Sequence, residues 1–333
     1  MSEMSQHVLV TGGAGYVGAA LVPKILEAGH RVSVLDLYLY GRESLGAVRG
    51  NPNLKEIVGD IRNPRDLDKV LTGVDAVIHL ACISNDPSFE LDPKLGRSIN
   101  YDAFEPLVVA AKQKGVSRFI YASSSSVYGV KAEEEVTEDL TLEPLTDYSI
   151  YKAKCEQILF RHTEKSFTCL VVRPATVCGY SPRLRLDLTV NLLSAQAFHE
   201  GRIKVFGGKQ KRPNIHIDDM IRFYLASLDY DPKAIEGKIF NVGYENYSVE
   251  DIARMVQRIM GAKSQLEFVP TLDQRSYRIS SQRVEAELGF RANHTVEEAV
   301  LDLRNAFESK AVPNAMSDAR FYNVRTMKAM LPV

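Results

Sequence analysis

Two tyrosine–lysine pairs lie in the stretch DYSIYKAKCEQ, residues 147–157. Tyr148 and Lys152 are four residues apart, and Tyr151 and Lys154 are three apart. On a helix either spacing puts the two side chains on one face. Both side-chain types can hold or move protons in a reaction. Spacing alone does not choose between the pairs, and either could instead serve packing or a solvated helix face. A second polar cluster, YASSSSVYG at 121–129, closes an apolar run. Its hydroxyls could face a substrate or form an ordinary polar turn.

A third group sits near the N-terminus. In VTGGAGYVG, Gly12, Gly15 and Gly18 are each three residues apart, between an apolar run and a helix-like run. In that setting glycines permit a tight turn, and the helix N-terminus can receive a pyrophosphate. Asp36 follows Gly18 by 18 residues and ends the next apolar run. A carboxylate there accepts hydrogen bonds from ribose hydroxyls and repels a 2′-phosphate, which predicts NAD rather than NADP. Asp60 and Ile61 end a third run, where they meet the adenine or form a strand-end turn. Leu80 and Ala81 end a fourth, at the edge of the sheet that would face a cofactor. His79 beside them reads as a packed strand histidine, because nothing nearby completes a metal set.

These groups need a scaffold, and the pattern supplies one. HVLVTG, RVSVLDL, LKEIVGD, DAVIHLA, SRFIYASS and SFTCLVVRP read as strands, with helical stretches between most of them. Short β-rich runs alternating with helices predict a parallel sheet covered on both faces. The expected fold is α/β, a Rossmann-type doubly wound parallel sheet over residues 1–174. A smaller α/β lobe, mainly for substrate, follows over 175–333, and the chain can cross back between lobes. In that second part Ser248 and Gly261 bound one helix, and Thr295 with Glu298 forms a capping box for another. The tail after Lys310 shows no clear pattern.

Composition narrows the partners. Lys and Arg total 41 against 42 Asp and Glu, which gives no electrostatic reason to expect nucleic acid or an anionic membrane. No apolar run suits a membrane span or a secretory signal, so the expected location is the cytoplasm. The four cysteines, Cys82, Cys155, Cys169 and Cys178, form no C-x-x-C pair and no zinc spacing, and read as packed thiols.

Taken together, the chain resembles the extended short-chain dehydrogenase/reductase family, the NAD-dependent nucleotide-sugar epimerases and dehydratases. The matching segments are T-G-x-x-G-x-x-G at 11–18, Asp36, the Asp60–Ile61 pair, H-L-A at 79–81, Asn100, S-S-x-x-V-Y-G at 123–129 and Y-x-x-x-K at 148–152. RPATVCG, KRPNIHIDD and YRISSQRVEAELGF match later family segments, so the resemblance runs through nearly the whole chain in order.

The resemblance implies roles. Tyr148 is the general base toward a sugar hydroxyl, Lys152 supplies positive charge and holds the nicotinamide ribose, and Ser124 bonds the reacting oxygen. A free tyrosine titrates near ~10, so Tyr148 requires tuning downward to act near neutrality. Tyr16, Val17, Asn100, Ser123 and Pro174 join the glycines, Asp36, Asp60, Ile61, Leu80 and Ala81 around NAD. Ser125, Thr176, Asn191, Arg212 and Arg275 face a nucleotide sugar, with the arginines on its diphosphate. Arg183 and Arg185 are further candidates. Tyr151 and Lys154 fall outside the family motif.

Two departures bear on the reaction. The family's 4,6-dehydratases carry Asp and Glu where this chain has Ser125 and Ser126, which favours epimerisation through a 4-keto intermediate. A net dehydrogenase or reductase is the alternative within the enzymes, and a catalytically silent NAD-binding sensor the alternative outside them. Cys178 replaces the family's usual tyrosine, with an expected effect on the wall near nicotinamide or substrate. A homodimer through the helices near 100–114 and 147–161 is implied by the family.

Overall fold

The structure, a computed structural model, describes residues 5–261, 263–271 and 276–330. Six strands lie in the first half: β1 (His7–Thr11), β2 (Arg31–Asp36), β3 (Leu54–Val58), β4 (Ala76–His79), β5 (Arg118–Ala122) and β6 (Thr168–Pro174). The helices among them are α1 (Tyr16–Glu27), α2 (Pro64–Leu71), the short α3 (Asp86–Phe89) and α4 (Pro93–Arg97), α5 (Phe104–Gln113) and α6 (Asp147–Arg161). The later elements are β7 (Thr176–Cys178), α7 (Thr189–Glu200), β8 (Arg202–Phe206), β9 (Lys211–His216), α8 (Ile217–Ala226), α9 (Pro232–Ile235), β10 (Lys238–Val242), β11 (Glu245–Ser248), α10 (Val249–Met260), β12 (Gln265–Val269), α11 (Gln282–Leu288), α12 (Val296–Glu308) and α13 (Asn323–Met330).

The main sheet has seven strands in the order β10-β6-β5-β4-β1-β2-β3, all parallel. The alternation of strand and helix forces this outcome, because a parallel neighbour can be reached only through a crossover. The central strands are buried on both faces. β4 and the inner residues of β1, β2 and β6 have no exposed positions, which is why they read as continuous apolar runs. The strand order reverses between β1 and β4, and a crevice opens there at the carboxyl ends of the strands.

β10 is the departure from a clean division at residue 174. It pairs with β6 from Lys238↔Leu170 to Val242↔Pro174, so a strand from beyond that boundary completes the main sheet. The remaining strands form two small sheets, β11-β9-β7 and β12-β8. The helix caps read from sequence are present. Ser248 accepts from the Asp251 amide at the start of α10, and Thr295 and Glu298 form the reciprocal box at α12.

The tail after Lys310 is ordered into the molecule. The Leu186 amide donates to the Phe321 carbonyl at 2.8 Å. Met327 of α13 is buried in the core on one face of the main sheet, with Phe89 and Phe104.

Candidate active site

The crevice is a chamber of about 620 Å³. Its floor is the glycine loop. Gly12 has φ +72°, and a Cβ there would lie 2.7 Å from the Ala81 amide nitrogen. A Cβ on Gly18 would lie 2.5 Å from Gly13 Cα, so α1 can start tight against the turn only with glycine there. Gly15 is the N-cap of α1 and offers no capping side chain. The first amides of α1 are therefore directed at the chamber, a setting suited to phosphate. Asp36 lines the chamber from the end of β2. Its carboxylate accepts from the Ala14 amide at 3.0 Å and the Tyr38 amide at 2.7 Å. Burial raises its pKa, and the two amides oppose that shift. The glycine cradle, the open helix terminus and the carboxylate at a ribose position together fit NAD.

The chemical groups come from β5 and α6. Thr146 caps α6 in a reciprocal box with Ser149, and its hydroxyl donates to Asp86 Oδ1 at 2.6 Å. That fixes the helix start two residues before Tyr148. From there α6 engages the end of β5 at one-turn intervals. Tyr148 lines the chamber together with Ser124, whose hydroxyl acts on the phenol. Lys152 Nζ donates to the Ala122 carbonyl at 2.6 Å, and its ammonium lies 5.8 Å from the Tyr148 ring centre. One turn further, Glu156 accepts from the Ser123 hydroxyl at 2.5 Å. Residues 148, 152 and 156 thus meet 124, 122 and 123 in turn.

Burial holds the Tyr148 phenol well above its usual range, and Cys82 and Asp86 add to this. Arg185 and the Ser124 hydroxyl act in the opposite direction. The downward tuning expected from sequence is therefore not present in the protein groups alone.

Gly12, Gly15, Tyr16, Val17, Gly18, Asp36, Asp60, Ile61, Leu80, Ala81, Ser123, Pro174, Ser124, Ser125, Tyr148, Lys152, Thr176 and Arg212 all line the chamber, as do Arg183 and Arg185. Among the described residues, two of those predicted are not brought there. Asn100 is buried behind the wall, where its amide bonds the Ile83 nitrogen and oxygen and holds the loop after β4. Asn191 is fully buried and bonded to Gly179, the Tyr16 hydroxyl and the Arg185 carbonyl, so it supports the wall rather than facing a ligand. Arg275 lies outside the described residues.

Cys178 also requires correction. Its side chain is fully buried with Sγ 3.5 Å from the Ile215 carbonyl, and it is not part of the chamber wall. Tyr151 packs on Tyr101 and Phe89, with Lys154 over both the Tyr101 and Tyr151 rings, away from the chamber. His79 is packed against Phe104, Phe119 and Tyr121 and bonded to Thr11 at 2.7 Å.

Several lining residues were not singled out from sequence: Tyr40, Ser84, Asp86, Lys204, Phe206 and Asn323. Tyr40 and Ser84 come from loops, Asp86 starts the one-turn α3, Lys204 and Phe206 lie on the short edge strand β8, and Asn323 belongs to the patternless tail. Glu156 was within reach of sequence reasoning, since it stands four residues after Lys152.

The family described as the NAD dependent epimerase/dehydratase family matches residues 8–243. The chain belongs to that family. Its members are enzymes, and NAD is their cofactor. Among curated relatives, the chain is 29% identical over 299 residues to dTDP-glucose 4,6-dehydratase of Streptomyces griseus, covering 86% of this chain and 89% of that one. It is 27% identical over 275 residues to UDP-glucose 4-epimerase of Lactobacillus helveticus, covering 76% and 82%. Among solved structures, UDP-glucuronic acid 4-epimerase of Bacillus cereus, in complex with UDP-glucuronic acid and NAD, superposes with a TM-score of 0.83 at 26% identity, covering 91% of this chain and 99% of that one. Epimerases and dehydratases of the family thus both stand near this chain. Among the described residues no helix is long and apolar enough to cross a membrane.

Proposed function

We propose that the protein is a nucleotide-sugar 4-epimerase that oxidises C4 transiently and returns the hydride to the opposite face of a 4-keto sugar. The observation that carries this reading is the turn after β5. Next to Tyr148 it presents Ser124, Ser125 and Ser126, with hydroxyls only: Ser124 and Ser126 oxygens lie 2.9 Å apart, and Ser125 is 3.4 Å from the Tyr277 hydroxyl. Eliminating water from C5 and C6 requires an acid and a base over those carbons, and this turn offers neither. Epimerisation requires only a proton acceptor for the C4 hydroxyl and room for the ketone to turn.

In this reading Tyr148 takes the C4 hydroxyl proton and Ser124 holds the reacting oxygen. Lys152, fixed by Ala122, keeps a positive charge beside the phenol. NAD, when bound, supplies a hydride acceptor and a positively charged ring, and the glycine loop and Asp36 would hold it. Thr176 and Arg212 face the sugar nucleotide. Tyr101, with Val109 of α5 and Ile158 of α6, lines a shallow groove that would meet a second copy of the chain.

The test is incubation with a panel of nucleotide sugars, with NMR of the product. A C4 epimer formed without net change in NAD supports the reading. A released keto sugar with stoichiometric NADH would establish the net dehydrogenase instead, and a 4-keto-6-deoxy product would establish dehydration.

A further inference from the structure

Arg183 lies in the chamber wall and is 4% exposed. A guanidinium carries five N–H donors. Among the described residues this one makes a single hydrogen bond, from Nη2 to Asn323 Oδ1 at 2.5 Å. Its Nε has no hydrogen-bond partner. The flat face of the group covers the Tyr40 ring, 3.7 Å from its centre. The neighbouring carboxylates are engaged elsewhere. Asp36 accepts from two amides, and Asp187 is bonded to Arg185 and Asn85. Burial is the main influence on the Arg183 pKa and lowers it to about 10.

A buried cation is ordinarily matched by an anion and by acceptors for its donors. Here the protein supplies one amide oxygen, and the rest of the fork borders a chamber built for ligands. Asn323 is 1% exposed and is itself held, donating to the Ser84 hydroxyl at 2.8 Å and the Ser84 carbonyl at 3.2 Å. The tail that carries it is anchored on both sides, at Leu186 and through buried Met327.

We infer that Arg183 is an anion receptor of the chamber, taking phosphate oxygens of a bound diphosphate, and that Asn323 of the C-terminal tail is the positioning residue that aims it. The inference rests on the proposed function for its ligands, which offer two diphosphates, that of the dinucleotide and that of the sugar nucleotide. A planar fork with free donors suits phosphate oxygens of either.

Calorimetric titration of the full chain with NAD and with UDP, TDP, GDP and ADP separates them. Arg183→Gln is expected to weaken the receiving diphosphate by about 10–100-fold, the value of a lost charge-assisted hydrogen bond. Asn323→Ala should weaken the same ligand by a smaller factor, and Arg183→Lys should recover part of the loss. Adenosine and uridine, which lack phosphate, should bind the variants as they bind the wild type. A loss confined to NAD assigns the dinucleotide, and a loss confined to a nucleoside diphosphate assigns the sugar nucleotide. Unchanged affinities in Arg183→Gln, or nucleosides weakened as much as diphosphates, would overturn the inference alone. A wild-type chain that binds none of these ligands would overturn the proposed function with it.

Discussion

The Arg173 guanidinium holds both oxygens of the Glu156 carboxylate, at 3.0 and 2.6 Å, with each side chain 3% exposed. The same carboxylate accepts from Ser123, and the same guanidinium donates to the Tyr128 hydroxyl at 2.8 Å. Tyr128 donates on to Asn241 of β10 at 2.7 Å. A buried charge pair therefore connects the turn beside Tyr148 to the last strand of the sheet. Removing one partner leaves the other charge buried without compensation. Glu156→Ala should lower unfolding free energy by about 3–5 kcal/mol, read by urea denaturation. A loss under 1 kcal/mol would mean that water enters and solvates Arg173.

The tyrosines of α6 should separate sharply. Tyr148→Phe should reduce turnover by about 10²–10⁴-fold, the usual contribution of a positioned acid–base group, while NAD still binds. Tyr151→Phe, on the Tyr101 side of the helix, should stay within a few-fold of wild type. Steady-state kinetics of both variants decides the matter, and equal losses would show that the chemistry lies on the other face.

Gly18 tests the cofactor cradle. A methyl group there would lie 2.5 Å from Gly13 Cα and 2.6 Å from the Gly12 carbonyl oxygen, both backbone atoms. Gly18→Ala must push α1 off the loop. A strain of about 1–3 kcal/mol corresponds to roughly a 5- to 150-fold weakening of NAD binding. Fluorescence titration with NAD measures it, with circular dichroism to establish that the fold persists. Wild-type affinity would mean that the helix start is not what holds the phosphates.

His79 makes the fold sensitive to acid. Burial lowers its pKa from 6.5 to about 3, with Lys152 adding to the effect. Between those values the unfolded chain binds a proton that the folded chain refuses. The His79 contribution to stability is therefore present above pH 6.5 and is lost progressively as pH falls toward 3, at up to about 1.4 kcal/mol per pH unit. Comparing melting temperatures of wild type and His79→Asn at pH 7.5 and 5 tests this. The variant should be less stable at pH 7.5 but lose less on acidification, and parallel losses would exclude His79 as the source.

Sequence reasoning reached furthest where chemistry and backbone geometry coincide. The glycine loop, Asp36, Ser124, Tyr148 and Lys152 sit at strand ends or at fixed helical spacing, and position in the element determines which way each points. Asn100 and Asn191 lie at motif positions too, but their amides are used on Ile83 and Tyr16, and hydrogen-bond partners of that kind depend on tertiary packing. Tyr40 reaches the chamber from a loop, Asp86 from the one-turn α3 and Asn323 from the tail, all too short or irregular for a period to mark them. Glu156 was legible by spacing, while its partner Arg173 is set by strand pairing between β5 and β6.

The placement of β10 has a consequence for how this protein can be divided. Its backbone covers the outer edge of β6, from Leu170 to Pro174. A chain cut after Pro174 would keep every residue of the glycine loop and of α6, yet would expose a bare row of amides and carbonyls on a strand rich in valine and leucine. Such an edge recruits other chains. The first half is expected to aggregate when expressed alone and to be rescued by the second half supplied as a separate polypeptide. The two halves of the chain are thus not interchangeable cassettes, and a chimera that swaps the later one must bring a compatible β10 with it.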